Sequence, residues 1–344
     1  MMMSTPVERV LLDFADEGVA VRALSSTFGV ELTGLRLEEP ASAALVERLV
    51  TLLGTRLVVL IRGVEMSEAR QDALTRALGA LRDQGLHAWA PPADPDAAVG
   101  RDGVLGPLHL LNKGNLLLFV NGPELCTGDP TAAYTEEEAE LRGGTSCWHT
   151  GDTEKENVEV INILHPVIVP ERGGQTLFLD TTAAFADLDP TTQAALEGLR
   201  VQHFTHFPPS TPEFRMPDPT WPVNQPLVKQ HPLTGARYLY LNFNDMDRVI
   251  GLSRAESGAL IRRLYDHAVQ SRYVYAHTWT EGDLILWNCN GTLHKRGVLD
   301  PSCKRALRRT QTAVPALQSV REWDHTRQVE SHDGESWHPY PFQR

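Results

Sequence analysis

Two stretches of this 344-residue chain carry the residue types from which reactive sites are built. The first is Ser146-Cys147-Trp148-His149-Thr150-Gly151-Asp152-Thr153, followed by Gly173-Gly174-Gln175-Thr176. The second runs from Gly282-Asp283 to Asn288-Cys289-Asn290-Gly291-Thr292-Leu293-His294 and ends at Lys304-Arg305-Ala306-Leu307-Arg308-Arg309. Imidazole is the commonest metal ligand among side chains, and the guanidinium fork grips carboxylates and phosphates through paired, charge-assisted hydrogen bonds. Each fragment alone is a weak signal, because a lone histidine in a strand is more often a structural residue than a ligand. Cys147 could face the same side as His149, but it has no nearby Cys partner in the sequence, so no zinc site is expected.

Together and in this order, the fragments resemble the TauD/TfdA family of non-haem iron, 2-oxoglutarate-dependent oxygenases. That family's pattern is His-x-Asp/Glu, then Thr or Ser, then a distant second His, then Arg. Here Thr176 lies 25 residues after Gly151, and Arg305 lies 11 after His294. The segments Phe28 to Leu35 and Leu57 to Arg62 also look like the family's opening, so the resemblance covers most of the chain. It implies a mainly β fold with helical decoration (α+β), built on a double-stranded β-helix or jelly-roll core. It implies that His149 and His294 hold Fe(II), and that 2-oxoglutarate chelates the iron while Thr176 and Arg305 hold its distal carboxylate. Arg309 matches a second arginine that binds the anionic end of the substrate in taurine oxygenases. On a strand, Arg305 and Arg309 share a face about 13 Å apart.

One position departs from the family. Where the carboxylate ligand belongs, two residues after the first His, the chain has Gly151. Asp152 could serve one position late, but only through a bulge, because successive strand side chains point to opposite faces. Alternatively, the empty position admits a halide that partly offsets the charge of the iron. His-x-Gly resembles the iron/2-oxoglutarate halogenases, so the leading expectation is a chlorinase using Fe(II), 2-oxoglutarate, chloride and O2. It would convert an unactivated C–H bond of a small anionic substrate to C–Cl in a biosynthetic pathway, releasing succinate and CO2. A nucleotide such as a deoxyadenosine phosphate is one candidate, with Arg309 and Asp152 on the substrate side. The alternatives are a hydroxylase of the same family, its iron shell completed by Asp152 or water, and a non-catalytic jelly-roll binding protein.

The elements that must position these residues are legible as periodicities. Leu45 to Leu53 and Ser67 to Leu81 have apolar residues at helical spacing, and Leu57 to Ile61 reads as a buried strand, giving an α+β opening over 1–85. Short strand-like runs dominate a core over 108–313: Leu116 to Val120, Val158 to Leu164, Thr176 to Leu179, Arg237 to Leu241, Tyr273 to His277, Leu284 to Trp287 and Ala306 to Ala313. Helices are expected at Thr191 to Leu199 and Arg254 to Gln270. Asn290-Gly291 reads as a type I′ hairpin turn presenting His294 on the returning strand. Pro-rich stretches at Ala90 to Asp96 and Phe207 to Pro222 read as long loops, the tail 321–344 carries no assignment, and the whole chain, 1–344, is taken as one catalytic domain.

Composition sets the outer bounds. With 42% hydrophobic and 22% charged residues, the chain can bury a sizeable core. A net charge of −12, from 44 Asp+Glu against 32 Lys+Arg, disfavours nucleic-acid polymers and anionic membranes as partners. A small-molecule substrate is expected, and a homo-oligomer is compatible. Four cysteines without a C-x-x-C pair and an N-terminus unlike a signal peptide point to a reducing cytoplasm.

Overall fold

The computed structural model describes residues 5–81, 109–113, 116–121, 148–151, 161–203, 223–243, 246–298, 303 and 305–314. In chain order the elements are α1 (Pro6–Asp16), β1 (Ala20–Ala23), β2 (Val30–Thr33), α2 (Ala43–Arg56), β3 (Val58–Arg62), α3 (Glu68–Leu78), β4 (Ala80–Leu81), β5 (His109–Lys113) and β6 (Leu116–Asn121). They continue with β7 (Ile161–Ile168), β8 (Thr176–Asp180), α4 (Thr181–Ala186), α5 (Pro190–Leu196), β9 (Arg200–His203), β10 (Val223–Pro226), β11 (Val228–Gln230) and β12 (Arg237–Leu239). The last are β13 (Met246–Val249), α6 (Arg254–Ala268), β14 (Val274–His277), β15 (Leu284–Asn288), β16 (Thr292–Arg296) and β17 (Arg305–Ala313).

An unbroken apolar run must be covered on both faces, and the runs Val58 to Ile61 of β3 and Leu284 to Trp287 of β15 are. They pair antiparallel at the centre of a large sheet ordered β1-β2-β3-β15-β7-β17-β6-β5, with β4 added beside β17. On one face, Val59, Ile61, Leu284 and Leu286 pack with Leu49, Leu52 and Leu53 of α2 and with Leu74 and Leu78 of α3. On the other, Val58, Leu60, Ile285, Trp287, Leu164 and Leu307 meet Phe178 of a smaller sheet, β14-β8-β16. The far side of that sheet, through Leu179 and Leu293, is covered by Phe185 of α4, by Ile261 and Leu264 of α6, and by Leu239 and Val201 of the short sheets. Two facing sheets are what a jelly roll requires, although the described residues do not close a barrel.

The expected strands and helices recur with small shifts, and α1 is an addition. Its Thr5 and Glu8 form a reciprocal capping box. The hairpin at Asn290-Gly291 is a correction. A type I′ turn needs positive φ at both central residues, but among the described residues Leu57 is the only non-glycine with positive φ, while Gly291 has φ +89°. The flanking strands do not pair either: β15 bonds β3 and β7, whereas β16 bonds β8. The turn therefore carries the chain from the large sheet to the small one. Asn290 is buried there, its Oδ1 accepting from the Tyr238 hydroxyl at 2.9 Å and its N–H donating to Asn288 Oδ1 at 2.9 Å. Both Pro-rich stretches, the start of the Val158 run, Cys126, Cys147, Lys304 and the tail 321–344 lie outside the described residues. No described helix is long and apolar enough to cross a membrane.

Candidate active site

His149 and His294, far apart in sequence, are joined by a two-way backbone bridge. The His149 N–H donates to the His294 carbonyl at 3.1 Å, and the His294 N–H returns to the His149 carbonyl at 2.8 Å. Directly opposed residues of an antiparallel pair project to the same face. The two imidazoles accordingly lie with ring centroids 4.1 Å apart at 45°. Trp287 lies 4.8 Å from the His294 ring and meets Phe178 edge-on at 5.3 Å. Burial, the neighbouring His149 and the charge of Arg309 push His294 well below the usual histidine range. Its Nδ1 is buried without a hydrogen-bond partner. Paired imidazoles, one neutral and holding an orphaned nitrogen, fit a metal such as Fe(II).

Gly151 is buried and offers no side chain to that metal. Among the described residues, no cluster of three His, Cys, Asp or Glu forms. Asp152 lies outside the described residues.

A second polar centre sits where β8 and β17 begin. Gly173 and Gly174, with φ +69° and +65°, adopt the left-handed backbone that glycine favours, and the Gly174 carbonyl accepts from Arg305 Nε at 2.9 Å. Thr176 Oγ1 accepts from Arg305 Nη2 at 3.4 Å and from Trp279 Nε1 at 3.1 Å. Arg305 is 5% exposed, and no described carboxylate pairs with it. Burial, with a smaller push from Arg296, lowers its guanidinium to about 9. A buried cation without a counter-ion is costly, so the residues present fit an incoming carboxylate.

Alternation along β17 separates the arginines. Leu307 packs between the sheets, which puts Arg305 and Arg309 on that same inner face. Arg308 points the other way, donating to Gln71 Oε1 at 2.7 Å and to the Met66 carbonyl. They form no common basic patch.

This arrangement has counterparts in known proteins. The model of the family described as "Taurine catabolism dioxygenase TauD, TfdA family" matches residues 20–311. The chain belongs to the TauD/TfdA family. It is 27% identical over 308 residues, 87% of this chain and 99% of the relative, to an alpha-ketoglutarate-dependent 2,4-dichlorophenoxyacetate dioxygenase of Cupriavidus pinatubonensis. It is 28% identical over 298 residues, 81% of this chain and 90% of the relative, to pentalenolactone F synthase of Streptomyces arenae. Among solved structures, a taurine dioxygenase from Burkholderia xenovorans superposes with TM-score 0.63 at 23% identity, covering 88% of this chain and 95% of that one. AAD-2 in complex with Mn(II) and N-oxalylglycine does so with TM-score 0.63 at 23% identity, covering 88% and 99%. At these identities the structures speak for the fold alone.

As a TauD/TfdA-family chain the protein is an oxygenase enzyme acting on a small molecule, and the family implies Fe(II), 2-oxoglutarate and O2. A non-catalytic binding protein does not fit that membership. Some residues of the site escape a reading of the sequence. Trp279 lies outside both fragments, and no spacing rule pointed to its bond with Thr176. The seam Gln311 to Asn162 (2.7 Å) to Cys289 Sγ (3.1 Å) is likewise unannounced. It places buried amides on the inner face beside Trp287, whose partner across β15 and β7 is Asn162. His203 is wholly buried with neither ring nitrogen hydrogen-bonded.

Proposed function

We propose that this TauD/TfdA-family enzyme oxygenates an unactivated C–H bond of a small anionic molecule. In this reading His149 and His294 hold Fe(II), Thr176 and Arg305 hold the distal carboxylate of 2-oxoglutarate, and Arg309 faces the anionic end of the substrate. The observation that carries it is the buried Arg305 guanidinium, bonded to Gly174 and Thr176 and paired with no described acid. Oxygen insertion is supported by relatives named as dioxygenases that align over most of both chains. Bound there, Fe(II) and 2-oxoglutarate would supply, with O2, the oxidising power for C–H cleavage, the co-substrate being spent as succinate and CO2. The chain's own task is placement. Arg305 and Thr176 fix one end of the co-substrate, Trp287 and Phe178 wall the histidine pair from water, and Arg309 anchors the substrate so that one C–H bond faces the metal. Asp152 or water would complete the iron shell.

A second reading, halogenation, is favoured by Gly151. A buried glycine at the third ligand position leaves room for chloride, whose charge stands in for the missing carboxylate. A nucleotide such as a deoxyadenosine phosphate belongs to this reading as one substrate class.

One titration separates the two. Anaerobic Fe(II) protein is titrated with 2-oxoglutarate, with and without chloride, in the wild type, Gly151→Asp and Asp152→Ala; O2 and a candidate anionic substrate are then admitted and the products are weighed by mass spectrometry. Oxygenation predicts a charge-transfer band indifferent to chloride and products containing oxygen. Halogenation predicts a chloride-dependent band shift lost in Gly151→Asp, and chlorine in the product.

A further inference from the structure

The Thr176 hydroxyl has two lone pairs and one proton to dispose of. Both acceptor positions are taken, by Trp279 Nε1 at 3.1 Å and by Arg305 Nη2 at 3.4 Å. The proton is thereby committed to a third direction, and no described group accepts it.

Trp279 is itself held firmly. It is 3% exposed, and its ring meets that of His277 edge-on, centroids 4.5 Å apart at 87°. His277 is wholly buried; its Nε2 lies 3.1 Å from Asp283 Oδ2, and its Nδ1 lies 3.1 Å from the Tyr275 hydroxyl. The Asp283 carboxylate also accepts from Arg62 Nη1 at 2.8 and 2.9 Å, from the Thr280 N–H at 2.8 Å and from the Thr280 hydroxyl at 2.9 Å. The engaged carboxylate thus lies against the imidazole, and the imidazole packs against the indole. The β14–β8 register sets His277 directly opposite Thr176, so the support and the hydroxyl share one ladder.

We propose that Trp279 is a positioning residue for 2-oxoglutarate. By filling, with Arg305, the lone pairs of the Thr176 hydroxyl, it directs that hydroxyl's proton to the distal carboxylate of the co-substrate. The inference rests on the co-substrate reading above. It makes the grip on that carboxylate a three-residue device in which Trp279 never touches the ligand.

The test compares anaerobic binding of 2-oxoglutarate and of 2-oxovalerate, which lacks the distal carboxylate, to the Fe(II) protein. Folding of each variant is checked by melting temperature. Trp279→Phe is expected to weaken 2-oxoglutarate about fivefold to twentyfold, the worth of part of one charge-assisted hydrogen bond, and to leave 2-oxovalerate unchanged. In a Thr176→Val background the same substitution should add less than about twofold, whereas in Thr176→Ser its effect should persist. Trp279→Tyr, which cannot donate from the Nε1 position, is read in the same cycle if the Phe protein does not fold. Equal losses for both ligands, or an undiminished loss in Thr176→Val, would overturn the proposal alone. A wild type that binds 2-oxoglutarate no better than 2-oxovalerate would overturn the co-substrate reading and the proposal with it.

Discussion

At position 305 a guanidinium is buried with no described acid beside it, and three residues later another is buried for a different reason. Arg308 answers the Gln71 side chain and the Met66 carbonyl on the α3 side. The two substitutions should therefore separate. Arg305→Ala is expected to weaken 2-oxoglutarate binding by more than about tenfold while the protein stays folded, since it removes a charge-assisted partner. Arg308→Ala should cost about 2–4 kcal/mol by leaving buried groups unpaired, with co-substrate affinity little changed; denaturant melts and binding titrations read both. His149, Thr176, His294 and Arg305 could be singled out because their order and spacing resemble the TauD/TfdA pattern, and the fold sets His149 beside His294 and Thr176 beside Arg305. Trp279 could not be, because a bond to a neighbouring strand leaves no trace in local sequence. The meaning of Gly151 was only half legible: the resemblance to the family marks the position as one without the usual carboxylate, but what takes its place depends on the three-dimensional surroundings.

Elements repeat this contrast. β3 and β15 could be read from unbroken apolar runs, because two covered faces leave no polar position. α1 went unread although Thr5-Pro6 and Glu8 spell a capped start. The turn at Asn290-Gly291 looked like a hairpin because Asn-Gly between apolar runs commonly is one. The competing fact was non-local: β8 offers β16 an edge, and crossing to it satisfies both strands. Gly291 then matters for space as well as φ, since a Cβ there would lie 2.7 Å from Thr182 Oγ1. Gly291→Ala should destabilise the protein by about 1–3 kcal/mol and, by shifting β16, weaken Fe(II) binding. A variant with unchanged melting and metal affinity would contradict this account of the crossing.

For the molecule as a whole, buried histidines set the response to acid. Burial and the charge of Lys229 lower His203 to about 3, and burial lowers His231 to about 4. In the unfolded chain both would take up a proton near pH 6.5. Below that pH the unfolded state binds more protons than the folded one, so stability is complete above about pH 6.5 and declines toward the folded values. At pH 5 each histidine should subtract about 2 kcal/mol. His203→Phe, which keeps the volume and loses the titration, should flatten the fall in melting temperature between pH 7 and 5. The bridge between positions 149 and 294 has a different whole-molecule consequence. A metal bound there is a staple across a very long loop, and an unfolded chain cannot keep it. Metal at a hundred times its dissociation constant should add about 2.7 kcal/mol to stability, visible as a melting shift with Mn(II) that a chelator reverses and His294→Ala lacks. Iron supply would then govern how long each copy of the protein survives proteolysis, and scarcity would thin the population of enzyme molecules as well as idling the ones that remain.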